Sequence, residues 1–135
     1  LPLGGIAGLF KIKGHMTWPP AAGTSAVMIA GGIGATPFRS MLRDAALKKR
    51  SLRTTLIHVA RRDFLYREDF ASLPAEYVCV SREGIAGAIA KTAGEEPSAQ
   101  YYVAGSPGFV ESTAEMLARS GIASVQTDAF KGLAE

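Results

Sequence analysis

The chain has 135 residues, of which 47% are hydrophobic and 20% are charged, and this composition is typical of one soluble globular domain. Its single cysteine, Cys79, excludes an internal disulfide bond and a cysteine-built metal site. The net charge of +3 is spread over several predicted elements, which favours local anion contacts over a nucleic-acid-binding stripe. No apolar run approaches the ~18 residues of a membrane span. No signal peptide is visible, so a cytoplasmic location is expected.

The first 20 residues differ in character from the rest of the chain. Apolar residues alternate with glycines over residues 1–13, which predicts a short strand, and residues 14–20 are expected to break regular structure. We therefore interpret residues 1–20 as the end of a preceding domain and a linker. Residues 21–135 are expected to form the main domain.

From residue 26 onward, predicted strands and helices alternate. The expected strands cover residues 26–30, 54–60, 77–80, 100–104 and 124–127, and the expected helices cover residues 37–49, 66–72, 85–92 and 109–119. This alternation predicts an α/β fold with a doubly wound five-stranded parallel sheet and helices on both faces. Ligands bind such sheets beyond the carboxyl ends of the strands, so the loops after the strands are the candidate site.

The first of these loops is a glycine-rich turn. The buried strand Ala-Val-Met-Ile-Ala runs directly into Gly31, Gly32 and Gly34, and Thr36 and Pro37 are predicted to cap and begin the following helix. A strand, a tight turn and a helix N-terminus together present backbone N–H groups to an anion such as a pyrophosphate. The turn matches neither G-x-G-x-x-G nor a P-loop. Valine at Gly34 is expected to block nucleotide binding while leaving the fold mostly intact.

Arginines follow the second and third predicted strands. Arg61 and Arg62 end the second strand, and one of them is expected to face a phosphate, although the sequence does not say which. Ser81 and Arg82 directly follow the third strand, an arrangement that suits bidentate phosphate binding. His58 lies among apolar residues of the second strand and is predicted to be a core histidine with a satisfied hydrogen bond.

Together these loops resemble the NAD(P)H-binding domain of the ferredoxin–NADP(H) reductase family. Gly-Gly-Ile-Gly-Ala-Thr-Pro at residues 31–37 looks like the family's G-G-x-G-x-T-P. Tyr-Val-Ala-Gly-Ser-Pro-Gly-Phe at residues 102–109 looks like its Y-x-C-G-x-x-x-M, and Asp-Ala-Phe-Lys-Gly at residues 128–132 looks like its E-x-F-x-G-Y. The departures are Ala104, where many members have cysteine, and Leu133, where the family has a closing tyrosine. The aromatic ring that often stacks on the flavin is therefore either missing or supplied by Phe130.

The resemblance implies that this chain is the NAD(P)H-binding module of a flavin-dependent oxidoreductase, and that it is inactive alone. NADP(H) is expected to be preferred over NAD(H), because Ser-Arg pairs at the position of Ser81 and Arg82 hold the 2′-phosphate in NADPH-preferring members. FAD is expected in the intact protein, held by a flavin-binding barrel of which residues 1–20 resemble only the last strand. Hydride would pass to the flavin, and electrons would continue to ferredoxin, flavodoxin or an oxygenase component. No catalytic residue and no metal site is assigned.

The resemblance and the loop positions together indicate sixteen cofactor-binding residues. They are Gly31, Gly32, Gly34, Ala35, Thr36, Pro37, Arg61, Arg62, Ser81, Arg82, Ala104, Gly105, Ser106, Pro107, Phe109 and Phe130.

Two other hypotheses are compatible with the sequence. One is a stand-alone nucleotide-binding regulatory or assembly module without flavin chemistry, which the near absence of the barrel supports. The other is a flavodoxin-like FMN carrier, which is disfavoured because the loop after the first strand is not rich in serine and threonine.

Overall fold

The computed structural model describes residues 10–12 and 16–130. The first elements of the described part are two short antiparallel strands, β1 (Phe10–Ile12) and β2 (Met16–Trp18). Five further strands form one all-parallel sheet: β3 (Ala26–Gly31), β4 (Thr54–Val59), β5 (Glu76–Val80), β6 (Gln100–Gly105) and β7 (Val125–Ala129). Their spatial order is β5-β4-β3-β6-β7, so the direction of winding reverses between β3 and β6. The carboxyl ends of these two strands therefore flank the switch point at which doubly wound sheets bind ligands.

Four helices cover the two faces of the parallel sheet. Helices α1 (Ala35–Leu47) and α2 (Arg67–Ala71) pack on one face, and α3 (Ile85–Glu95) and α4 (Pro107–Arg119) pack on the other. This arrangement confirms the predicted doubly wound parallel fold with helices on both faces.

The alternation of side chains along β3 explains why both faces need a helical cover. Met28 and Ala30 point into the cluster that contains Phe38 of α1, whereas Val27 and Ile29 point into the cluster built by α3 and α4. All five side chains are fully buried. Burial of a large aliphatic or aromatic side chain contributes about 1.5–3 kcal/mol, so a strand that is apolar on both faces stabilises the fold only between two helical layers.

Strand β2 was not expected, because residues 14–20 were predicted to be irregular. The structure corrects this prediction: Met16 and Trp18 are buried on either side of the half-buried Thr17, which is the alternation of a short strand. The Thr17 amide donates to the Gln126 side-chain oxygen at 2.6 Å, and its carbonyl accepts from the Tyr102 hydroxyl at 3.1 Å. These bonds fasten β2 to the sheet. A domain boundary at residue 20 stays a prediction.

The ends of several elements also differ from their predicted positions. Helix α1 begins two residues earlier than expected, α3 continues through Gly94 to Glu95, and α4 begins at Pro107 instead of residue 109. Strand β7 extends through the buried Asp128, which had been assigned to the loop after the strand. Residues 131–133 of the family-like closing motif lie outside the described residues.

Candidate functional site

The glycine turn lies at the switch point, and its glycines have different structural roles. Gly32 has a φ of +56° with open space around it, so glycine is needed there for backbone conformation alone. A Cβ at the buried Gly34 would collide with the backbone carbonyl of Ala104 at the end of β6. The turn is therefore packed directly against the neighbouring strand. The expectation that valine at Gly34 leaves the fold mostly intact is wrong, because that position has no room for any side chain.

The first turn of α1 is capped differently from the sequence prediction. Residues Gly32–Gly34 form a 3-10 turn, and the amide of Ala35 donates to carbonyls within that turn. The N-cap is Gly34, with no side-chain cap, so Thr36 is not the cap and Pro37 is the third helical residue. Backbone carbonyls of the 3-10 turn thus bond the first helical amide, so no side-chain cap is needed there. Thr36 is exposed at the edge of the sheet.

His58 of β4 contacts the glycine turn from within the core. Its side chain is fully buried, and its Nε2 lies 3.2 Å from the carbonyl oxygen of Gly32 while its Nδ1 lies 2.8 Å from the Tyr77 hydroxyl. Burial lowers the pKa of His58, and the hydrogen bond to Gly32 opposes that shift only partly. The prediction of a core histidine with satisfied hydrogen bonds is confirmed.

The ring of Phe109 lies across the carboxyl ends of β3 and β6. A Cβ at Gly31 or at Gly105 would come within 2.7 Å of this ring, so both strands end in glycine to make room for it. The backbone of Gly105 also accepts a hydrogen bond from the amide of Phe130 at 2.8 Å. The end of β6, the start of α4 and the residue after β7 are thereby held together.

Ser106 has a clear structural role at the start of α4. It is the N-cap of this helix, and its hydroxyl accepts a hydrogen bond from the Phe109 amide at 3.3 Å. Pro107 follows at the first helical position, where its missing N–H costs nothing. The strand-to-helix turn after β6 is therefore as regular as the turn after β3, and the two turns are neighbours.

A cavity of about 390 Å³ opens beside this turn, on the face of the sheet that α3 and α4 cover. Three of the residues that line it were predicted from sequence as site residues: Arg82, Ser106 and Phe109. Six were not predicted: Val59, Ile85, Gly108, Ser112, Thr113 and Met116. A sequence signal for part of this wall did exist, because residues 109, 112, 113 and 116 repeat at the spacing of one helical face.

The other predicted cationic residues lie at the same edge but outside the cavity. Arg61 and Arg62 follow β4, and both side chains are exposed, as is that of Arg82. Ser81 precedes a 3-10 turn at Arg82–Gly84 and makes no side-chain cap. Within the described residues, none of these three arginines forms an ion pair, so their charge is available to an anion.

Among residues 10–12 and 16–130, no group of three or more histidine, cysteine, aspartate or glutamate side chains could hold a metal ion. None of the helices described is both long enough and apolar enough to cross a membrane.

A parallel sheet with this strand order, with a glycine turn at its switch point, is typical of nucleotide-binding α/β domains. Residues 28–82 match the oxidoreductase NAD-binding domain family, which confirms the resemblance inferred from the motifs. The chain is therefore similar to the NAD-binding domains of oxidoreductases over residues 28–82. No curated protein matches the sequence significantly.

Solved structures of reductases share this fold. A ferredoxin reductase in carbazole 1,9a-dioxygenase (FAD apo form) is 24% identical with a TM-score of 0.62, and the alignment covers 83% of this chain and 34% of that protein. A cytochrome P450 reductase from Amycolatopsis is 20% identical with a TM-score of 0.63, covering 83% and 40%. The ferredoxin-NADP+ reductase from Plasmodium falciparum is 14% identical with a TM-score of 0.62, covering 79% and 52%. The chain spans about a third to a half of the length of these proteins.

Proposed function

We propose that this chain binds NADPH along the carboxyl edge of its sheet, as the nucleotide-binding part of a flavin-dependent oxidoreductase. The observation that carries the proposal is that a glycine turn at the switch point and an arginine-lined cavity lie at one edge. The first suits a pyrophosphate, and the second suits a further phosphate nearby. A dinucleotide with a phosphate on its adenosine ribose has both groups.

The pyrophosphate is assigned to the turn after β3. Gly32 and Thr36 are exposed there and are the proposed contacts, through a backbone N–H and a hydroxyl respectively. Gly34, Ala35 and Pro37 are buried and shape the turn without touching the ligand. The positive end of the α1 dipole adds a favourable interaction with the phosphates.

The 2′-phosphate is assigned to Arg82, with the hydroxyl of Ser81 beside it. The guanidinium group matches a phosphate bidentately, and Arg61 or Arg62 adds positive charge from the end of the neighbouring strand. An NAD-specific site of this topology has a carboxylate at the end of the second strand to bind the ribose hydroxyls. In this chain the first carboxylate after β4 is Asp63, which follows both arginines.

The nicotinamide is assigned to residues 104–107 and Phe130, around the end of β6. Ala104 is fully buried there, and the half-buried Phe130 offers an aromatic surface that suits packing against a flavin ring. FAD bound by a separate domain supplies the hydride acceptor in the intact protein. Electrons then continue to a ferredoxin, a flavodoxin or an oxygenase component, and this chain alone has no turnover.

Calorimetric titration of NADPH and NADH into the 135-residue chain, at low and high salt, tests the proposal. The wild type is expected to bind NADPH more tightly than NADH. A charge-assisted contact is worth about 1.5–3 kcal/mol, so Arg82→Ala should weaken NADPH binding roughly ten- to a hundredfold and leave NADH nearly unchanged. The lost increment should shrink at high salt.

A matched control is Arg119→Ala, which removes the same charge at the far end of α4, where Arg119 pairs with the exposed Glu115 and with no other acid among the described residues. This variant should bind both nucleotides like the wild type. Preference of the wild type for NADH would overturn NADPH as the ligand. Equal losses of NADPH and NADH affinity in Arg82→Ala would mean that Arg82 supports the loop and does not contact the phosphate.

A further inference from the structure

The peptide that joins Gly32 to Ile33 has its two polar groups in different environments. Its carbonyl oxygen lies 3.2 Å from Nε2 of His58, a side chain that is fully buried in the core. Both residues of the peptide are nevertheless exposed at the edge of the sheet, and Ile33 is 44% exposed. In a trans peptide the carbonyl and the N–H group point in opposite directions. The N–H group of Ile33 is therefore directed away from the core, toward the edge of the sheet.

This N–H group is one of the first of a helical segment. The 3-10 turn begins at Gly32 and α1 follows it at Ala35, so the Ile33 amide has no acceptor within the turn or the helix. Amides at the start of a helix are donors that suit an anion. Ile33 is not among the site residues predicted from the sequence, because an isoleucine in a turn gives no sign that its backbone binds a ligand.

Two donors hold the carbonyl of Gly32 in the inward direction. One is Nε2 of His58, and the other is the amide of Ala35. Position 32 has no side chain and a φ of +56°, so the peptide that follows it can turn over with little steric cost. A peptide turned over would present a carbonyl oxygen to the edge in place of the N–H group, and this oxygen would repel a phosphate.

The chemistry of the His58 ring suits this role. Burial lowers the pKa of His58, so the ring is neutral at about pH 7 and carries one N–H group. Its Nδ1 lies 2.8 Å from the Tyr77 hydroxyl, which donates to it and leaves the ring proton on Nε2 for Gly32. An aliphatic side chain, such as that of Leu56 in the same cluster, would fill the space without the cost of burying a polar ring. The histidine thus provides a hydrogen bond that packing alone does not require.

We infer that His58 is a positioning residue for the cofactor, because its hydrogen bond keeps the N–H group of Ile33 directed at the pyrophosphate. The inference rests on the proposed function, which assigns the pyrophosphate to this turn, and it adds the Ile33 amide to the proposed contacts. His58 does not touch the ligand, since its side chain is fully buried. Its effect is to orient the donor in advance, so that binding does not have to reorient the peptide.

Titration of two ligands into the 135-residue chain tests the inference: NADPH, and adenosine 2′-monophosphate, which has the 2′-phosphate but no pyrophosphate. His58→Leu removes the donor and should weaken NADPH binding about three- to tenfold, the value of one net hydrogen bond. Binding of adenosine 2′-monophosphate to this variant, followed by NMR chemical shifts, should be unchanged. His58→Gln retains an N–H group at the end of its side chain and should retain most of the NADPH affinity.

A matched control is Tyr101→Phe. This change removes a buried hydroxyl that donates to the carbonyl of Glu96 at 2.9 Å, near the amino end of β6. The variant should lose stability but bind both ligands like the wild type. Equal losses for both ligands in His58→Leu would assign the effect to the fold as a whole and overturn the inference. A loss in His58→Gln as large as that in His58→Leu would also overturn it.

The NMR signal of the Ile33 amide gives a second measurement, which does not depend on any variant. In the wild type this signal should shift on addition of NADPH and change little on addition of adenosine 2′-monophosphate. An Ile33 amide that does not respond to bound NADPH would contradict the inference, as would unchanged NADPH affinity in a folded His58→Leu. If the wild type does not bind NADPH, the proposed function itself fails.

Discussion

The imidazole of His58 joins the glycine turn to the edge of the sheet. Its Nε2 donates to the carbonyl oxygen of Gly32 at 3.2 Å, and its Nδ1 accepts from the hydroxyl of Tyr77 at 2.8 Å. Because a carbonyl oxygen can only accept, these contacts select the neutral tautomer with its proton on Nε2. The ring also lies edge-on to Phe64 and Phe70, with centroid distances of 5.2 and 6.0 Å. Protonation of the ring would add a hydrogen to Nδ1, and this hydrogen would face the hydrogen that the Tyr77 hydroxyl now donates.

This buried neutral histidine predicts a pH-dependent stability. The pKa of His58 is lowered by burial in the folded chain, whereas the unfolded chain has a pKa of about 6.5. Between these values the unfolded state binds the proton and the folded state does not. The free energy of unfolding should therefore fall as pH decreases below about 6.5, by up to about 1.4 kcal/mol per pH unit. Above about pH 6.5 the group contributes no pH dependence.

Urea unfolding between pH 5 and pH 7.5 measures this slope. In His58→Gln the slope should be reduced by the contribution of one histidine. His15→Gln removes the other histidine of the sequence and should keep the wild-type slope. A slope that is the same in His58→Gln and in the wild type would contradict the assignment.

The two turn glycines predict opposite outcomes for the same substitution. Gly34→Ala places a Cβ against the backbone of Ala104, so we expect a loss of more than about 3 kcal/mol in stability or no folding. In Gly32→Ala the new Cβ meets no neighbouring atom. The expected loss of stability is therefore only that of the left-handed backbone conformation, about 1–2 kcal/mol. Chemical denaturation of both variants gives the comparison. Similar stabilities would show that the turn is not packed against β6 as described.

The arginine pair after β4 predicts unequal contributions to nucleotide binding. Val59 lines the cavity, and Arg61 follows it by two residues, so we expect Arg61 to be the closer of the two to the bound phosphate. Arg61→Ala should weaken NADPH binding about three- to tenfold at low salt, and Arg62→Ala should have a smaller effect. Titrations of NADPH into the two single variants compare residues of the same exposure. A larger loss in Arg62→Ala would reverse the assignment.

The attachment of β2 to α1 predicts a pH-dependent effect at Trp18. The Trp18 Nε1 donates to Asp44 Oδ2 at 3.1 Å. Burial pushes the pKa of Asp44 upward, but hydrogen bonds from Lys48, Trp18 and Arg50 outweigh it, and the pKa is lowered. Trp18→Phe should therefore cost about 1.5–3 kcal/mol at pH 7, the value of a hydrogen bond to a charged group.

A lowered carboxylate pKa stabilises the fold above the unfolded value of about 3.9, and this contribution is lost as pH falls through the folded pKa. The difference between Trp18→Phe and the wild type should accordingly shrink between pH 7 and pH 3, as followed by urea unfolding. Asp63→Asn changes an exposed carboxylate and serves as the control. A difference that is constant across this range would assign the effect to lost ring packing, including the edge-to-face contact of Trp18 with Tyr102 at 5.9 Å.

The sequence predicts the fold well because its strongest signals are local. The apolar run of β3 and the glycines after it determine a buried strand and a tight turn without reference to other segments. The rule that ligands bind beyond strand ends then indicates the edge at which the glycine turn and the cavity lie. The prediction that Thr36 is the N-cap was wrong, because the carbonyls of a 3-10 turn already accept the hydrogen bond of the first helical amide. That turn packs against Ala104, a contact that the sequence does not show.

The cavity was not predictable in the same way. Its wall combines Val59 from a strand end with residues from the turn before α3, the start of α3 and the length of α4, and only the packing of these elements brings them together. Ser112 and Thr113 interrupt an apolar stripe on α4, but a polar pair in a helix is usually solvated. The burial of the Thr113 hydroxyl distinguishes it from such a pair, and burial depends on the tertiary structure.

The ring of Phe109 makes the glycines at positions 31 and 105 evolutionarily dependent on it. Because each would bring a Cβ within 2.7 Å of the ring, alanine at either position is tolerated only where residue 109 is smaller. Homologues with a short side chain at position 109 are expected to be free to lose the glycine at position 31, whereas homologues that retain an aromatic ring are not. Positions 31 and 109 should therefore show epistasis of magnitude, in which Gly31→Ala is harmful beside phenylalanine and mild beside alanine.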